Sequence, residues 1–179
     1  MIENYKMMDN IISLNIILLG NWNKRIFSPK WVNTNIFCLE EGSKYQGLIN
    51  PEEMEFGYLH NDIVLLPRSN SLEIKLEKFN ENTINQGGVI LERILQLLPH
   101  TPIKAIGINI RYRFLRKDNN KIVNSLRELK CSFSDFQTKQ IKFSKNLEDC
   151  QLNIITDIGT EDFTVNFNFH FIQTSVIDK

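Results

Sequence analysis

Asp62 and the triplet Glu73-Ile74-Lys75 are the side chains in this sequence best spaced for chemistry. A carboxylate on one strand and a Glu-x-Lys on its hairpin neighbour could hold Mg²⁺ between them, with the ammonium helping to activate water. Alternation along a strand puts Glu73 and Lys75 on one face, two residues apart. The same alternation also describes an ordinary half-exposed strand, because Leu72, Ile74 and Leu76 interleave with Glu73, Lys75 and Glu77 and opposite charges are routine on such a face.

The triplet resembles the metal-dependent nucleases of the PD-(D/E)xK type, and a hairpin followed by a helix and a further strand suits their core. The proline that commonly precedes the aspartate is Asn61 here, and Asn61-Asp62 also suits a tight turn. The resemblance implies a catalytic set of Asp62, Glu73 and Lys75. A residue on a wet strand face should be dispensable to folding, so Glu73→Ala is expected to abolish cleavage and spare stability.

A second candidate is the basic stripe Arg111, Arg113, Arg116 and Lys117 at the end of a long strand. Arg111 and Arg113 point together, away from Tyr112 and Phe114, and could track a phosphate backbone or clamp an acidic partner. A solvated strand end would look the same. Gly87-Gly88 lacks the context of a phosphate-binding loop and suits a flexible helix entry. His60, His100 and His170 are far apart, with no nucleophile paired to them in sequence. Cys38, Cys131 and Cys150 are widely spaced, with no CxxC and no histidine cluster. Neither a metal nor a cofactor is expected, and buried thiols in a reducing compartment are.

The most distinctive stretch is Gly20-Asn21-Trp22-Asn23-Lys24-Arg25-Ile26-Phe27-Ser28-Pro29-Lys30-Trp31. Aromatic and Arg side chains dominate interface hot spots, which makes Trp22, Arg25, Phe27 and Trp31 candidate partner contacts. They could equally staple a short helix to the sheet. An apolar strand, then G-N-W-N, then I-F-S-P-K-W resembles the start of a poorly characterised bacterial family, over about the first thirty residues. The resemblance brings no catalytic residues and implies a place beside multi-gene defence or mobile-element loci.

The elements that must position these residues are mostly strands. Ile12, Leu14, Ile16 and Leu18 share one face of a first strand closed by Gly20 and Asn21. Ser28-Pro29 predicts a capped short helix through Trp31 and Val32. Short extended runs follow at Ile36–Leu39, Tyr45–Ile49, Met54–Leu59, Ile63–Leu66 and Leu72–Leu76, with Asn61-Asp62 as a hairpin turn. The strongest helix spans about Thr83 to Leu98 on the stripe Ile84, Leu91, Ile94, Leu95 and Leu98. Gly87-Gly88 weakens its first turns, so it should be firm only from Val89. A long strand carries Ile106, Ile108, Ile110, Tyr112 and Phe114, and a second helix is expected at Asn119–Lys130. Three strands close the chain at about 138–145, 150–157 and 162–172, the last setting Phe163, Val165, Phe167, Phe169 and Phe171 against Thr164, Asn166, Asn168 and His170.

This pattern predicts an α+β fold in one domain, residues 1–179: a large, mostly antiparallel sheet with two main helices on one face. The order strand, short helix, meander recurs in residues 11–77 and 103–172, and a duplication of that kind would give a saddle like that of the TATA-binding protein. The chain has 21 basic and 21 acidic residues and 42% apolar residues. It lacks the basic excess of a dedicated nucleic-acid binder, and near-zero net charge removes a safeguard against association. The apolar run Ile11–Leu19 is too short to span a bilayer, so a cytoplasmic protein is expected. The leading expectation is a non-catalytic adaptor subunit of a bacterial or phage complex, of a defence type, with a protein partner. Self-association and nucleic-acid or nucleotide sensing through the arginine stripe stand as alternatives beside the nuclease.

Overall fold

The computed structural model describes residues 10–40, 46–50, 55–115, 140–159 and 161–172. The strands are β1 (Ile11–Gly20), β2 (Gln46–Asn50), β3 (Glu55–His60), β4 (Ile63–Pro67), β5 (Ser71–Leu76), β6 (Ile103–Leu115), β7 (Gln140–Asn146), β8 (Gln151–Ile158) and β9 (Asp162–Ile172). Between β1 and β2 a short helix α1 (Pro29–Trp31) runs on into a π-helical turn, Val32–Ile36; α2 (Glu81–Leu97) lies between β5 and β6. The strands form one sheet in the order β2-β3-β4-β5-β1-β6-β9-β8-β7. Every neighbouring pair is antiparallel. The expected α+β, sheet-dominated architecture is therefore present. The helix expected at Asn119–Lys130 lies outside the described residues, as do Arg116, Lys117 and Cys131.

The core forms where both helical segments cover β4, β5 and β1. Leu14, Ile16 and Leu18 of β1, Leu72, Ile74 and Leu76 of β5, and Ile63 and Leu65 of β4 are buried together with Val32, Ile36, Ile90 and Ile94. Registry explains why these residues share a face: Leu18 opposes Leu72, Ile16 opposes Ile74, and Leu14 opposes Leu76. A one-residue slip would put that whole set on the other side of the sheet.

Three local expectations need correction. First, Ile12 is 44% exposed while Ile11 is buried. The β1–β6 register shifts between Ile11 and Ser13, and such a bulge reverses the alternation at the start of the strand. Second, Ile36–Leu39 is not a strand. The helix that Ser28 caps through its Oγ continues past Val32, and Phe37 N–H donates to Val32 C=O, five residues back, which is the π-helical pattern. Third, α2 is helical from Glu81, with Asn80 accepting from Thr83 N–H at 2.9 Å as its N-cap. The inward stripe is Thr83, Gly87, Ile90 and Ile94, and Leu95 faces outward.

Gly87 is buried, and a Cβ there would stand 3.3 Å from Leu76 Cδ1; Gly88 faces open space. The first glycine lets the helix approach β5, while the second carries only the entropic penalty of glycine in a helix. Gly88→Ala is therefore expected to raise unfolding free energy by about 0.5–1 kcal/mol. Gly87→Ala should give no gain or a loss, because its methyl must displace Leu76. Urea unfolding of the two variants checks this pair of signs.

Candidate binding face

The sheet face opposite α1, the π turn and α2 carries a row of small polar side chains. Direct cross-strand partners share a face, and the register links Lys75 to Asn15, Asn15 to Asn109, Asn109 to Asn168, Asn168 to Asn153, and Asn153 to Ser144. The row thus crosses β5, β1, β6, β9, β8 and β7. Ser144 Oγ donates to Asn153 Oδ1 at 2.7 Å, Asn153 Nδ2 to Asn168 Oδ1 at 3.2 Å, and Asn168 Nδ2 to Asn109 Oδ1 at 2.6 Å. The carboxamides are aligned head to tail in a chain that polarises in one direction.

The chain of hydrogen bonds turns aside at β1. Asn15 donates through Nδ2 to Glu73 Oε1 at 2.7 Å, and its own Oδ1 is buried with no partner among the described residues. Glu73 also accepts from Arg68 at 2.8 Å. A neighbouring row contributes Ile17, Gly107, His170, Gln151 and Asn146. On the other side lie Ser13, Arg111, Asn166, Ile155 and Lys142. Carboxamides neither titrate near neutral pH nor attack electrophiles. They offer neutral donors and acceptors at fixed spacing, which is equipment for recognition.

The residues expected at a nuclease centre are not gathered. Asp62 sits in the two-residue β3–β4 turn with φ 63°, beside Asn61 at φ 48°; positive φ at both positions is what a type I′ hairpin needs. It pairs with Lys78 at 3.0 Å. Leu66 opposes Glu73, and Ile63 opposes Leu76. Asp62 is therefore four positions along the ladder from Glu73, about 13 Å at the rise of a strand. Lys75 is paired with Glu77 at 2.7 Å. Among the described residues no three His, Cys, Asp or Glu side chains cluster as a metal site.

The aromatic segment divides differently from the expectation. Trp22 and Phe27 are only 5% and 4% exposed. Trp22 Nε1 donates to Leu18 C=O at 3.0 Å, and the Phe27 ring meets both Trp22 and Trp31 edge-on. The Tyr58 hydroxyl donates to Phe27 C=O. Trp22 and Phe27 thus belong to the core that pins α1 to the sheet, and Trp31 packs against that core. Arg25 remains exposed. Cys38 is exposed and Cys150 half-buried, so neither is a buried thiol.

Arg113 is tied to Asp162 at 2.6 Å. Arg111 reaches Thr164 Oγ1 at 3.4 Å and stays exposed. The sequence placed Asn166 and Asn168 on the face opposite the phenylalanines, but Asn15, Asn109 and Asn153 emerge as their partners only through strand register. No family model matches this chain, and no curated protein is similar to it in sequence. No helix among the described residues is long and apolar enough to cross a membrane.

Glu73 is a folding residue in this geometry, since its side chain is 12% exposed and satisfies both Arg68 and Asn15. Glu73→Ala is expected to lower unfolding free energy by about 1–3 kcal/mol, because it removes the acceptor that Arg68 and the Asn15 amide share. Trp22→Ala should lose about 3–5 kcal/mol through the cavity it opens. Equilibrium denaturation of the two variants measures both losses; wild-type stability in either would contradict its assigned place.

Proposed function

We propose that this chain is a non-catalytic binding subunit that holds a protein partner against the polar face of its sheet. The carrying observation is the cross-strand row Asn15, Asn109, Asn168, Asn153 and Ser144, lying opposite the face on which the described helices pack. Carboxamides match the donor and acceptor of a peptide group. Three basic groups at this face are balanced internally, through Arg68–Glu73, Lys75–Glu77 and Arg113–Asp162, while Arg111 and Lys142 have no acidic partner among the described residues. Phosphate tracking relies on cations that release counterions on binding, and pairing within the protein removes most of that driving force here. Arg111, beside the row, supplies a hydrogen-bonding cation for an acidic or carbonyl-rich partner surface.

The contact surface moves from the aromatic segment to the sheet, because Trp22 and Phe27 are consumed by the core. The role of adaptor in a bacterial or phage complex rests on near-zero net charge, the sheet-rich architecture and the lack of a gathered catalytic set among the described residues, and its defence type on the G-N-W-N and I-F-S-P-K-W resemblance. We further infer an internal duplication giving a saddle. Its support is strand order: about the β1–β6 seam, β5 corresponds to β9, β4 to β8 and β3 to β7, with chain direction preserved by the antiparallel pairing. On that reading the asparagine row crosses the seam between the halves.

The test is capture from the host with the tagged wild-type chain and with Asn168→Arg and Arg111→Glu variants, after thermal melts show both folded. A stoichiometric protein held by the wild type and reduced at least tenfold in both variants is expected. Capture unchanged by both would remove the sheet face from the proposal. Retention of nucleic acid, with affinity falling steeply between about 50 and 200 mM salt, would replace the protein partner with a polynucleotide.

A further inference from the structure

Away from the asparagine row, a cleft of about 220 Å³ opens between α2 and the tip of the β3–β4 hairpin. Gln86, Val89, Ile90 and Arg93 form its helix wall, and their spacing of three and four residues puts them on one helical face. His60, Asn61 and Ile63 form the opposite wall, and Phe37 closes one end. The Phe37 and His60 rings pack with centroids 5.3 Å apart.

The electrostatics of this cleft are one-sided. Arg93 donates through Nη1 to Ile36 C=O at 2.8 Å, the last carbonyl of the π turn, so the guanidinium is fixed by one nitrogen while retaining further N–H donors. No carboxylate lines the cleft among the described residues. The two acids adjacent in sequence to its lining are engaged elsewhere: Asp62 at the hairpin tip by Lys78 at 3.0 Å, and Glu92 by the Gln96 amide at 2.9 Å. Arg93 is partly withdrawn from water and has no acidic partner among the described residues, an arrangement that favours an anion from outside. A guanidinium fork matches a planar carboxylate in two parallel hydrogen bonds. Phe37, Ile63, Val89 and Ile90 supply an apolar wall beside it.

Size narrows the class. Pockets for drug-sized ligands run to roughly 300–1,000 Å³, and this one is smaller. It has room for a branched or single-ring apolar group with its carboxylate. We propose that the cleft binds a small apolar carboxylate, anchored by Arg93, supplied either as a free acid or as the C-terminal residue of a polypeptide.

Backbone-amide NMR titration of the full chain with isovalerate, N-acetyl-leucine and N-acetyl-leucinamide tests this. Saturable shifts at His60, Gln86 and Arg93 are expected with at least one acid and not with the amide. Tighter binding of N-acetyl-leucine would identify the polypeptide terminus as the source, and equal or tighter binding of isovalerate would identify the free acid. Arg93→Gln should weaken the acid at least tenfold. If that variant fails to fold after losing its bond to Ile36, the acid-against-amide comparison on the wild type decides alone. Absence of saturable shifts with both acids, or equal binding of the amide, would overturn the proposal.

Discussion

Strand β1 is hydrogen-bonded along both edges, to β5 on one side and β6 on the other. Its register against both neighbours fixes the rest of the molecule, because every other strand is attached to the sheet through one of those two partners. Leu14, Ile16 and Leu18 then point at the helices while Asn15 and Ile17 point away. Burial of Leu18, with none of its surface exposed, and of its neighbours makes the correct register the stable one. An alternative shifted by one residue would bury asparagine and leave leucine in water. The polar face is thus ordered by the hydrophobic one.

That coupling accounts for both what was legible in the sequence and what was not. Alternation revealed the phenylalanines of β9 and the isoleucines of β6, and Asn61-Asp62 marked its hairpin, because these signals are local. The bulge near Ile12 was hidden, since a bulge is defined by the partner strand that fails to match. The helix α2 was underestimated at its start: glycine lowers helix propensity in isolation, and the close approach to Leu76 that makes Gly87 useful is a tertiary contact. The π turn escaped for a similar reason. Ile36 and Phe37 read as strand residues by composition, yet their burial against α2 and the sheet holds them in a widened helical turn.

The candidate sites show the same division. Asp62, Glu73 and Lys75 looked like a constellation because their order in sequence suited one, and only registry shows Asp62 and Glu73 four steps apart. The aromatic segment presented two readings, and burial decided for the staple at Trp22 and Phe27. Conversely, the asparagines are individually unremarkable in a chain rich in that residue. Their alignment exists only once four strands, from widely separated parts of the chain, are placed side by side.

A neutral polar ladder also bears on how this sheet keeps its shape. Where a strand face is wetted, alternating charges can hold cross-strand neighbours together, but each such pair is weakened by salt and by the entropy of long side chains. Asparagine has a short side chain with both donor and acceptor, so Asn153, Asn168 and Asn109 link three strands at little entropic expense. Any partner that engages the row meets groups already oriented by one another, and little further ordering is required on binding. The same logic governs Arg93, whose orientation is set by Ile36 before any anion arrives. In both places the fold supplies prepositioned polar groups: strand register aligns the asparagines, and the core built around β1 holds α2 and Ile36 where Arg93 meets the Ile36 carbonyl.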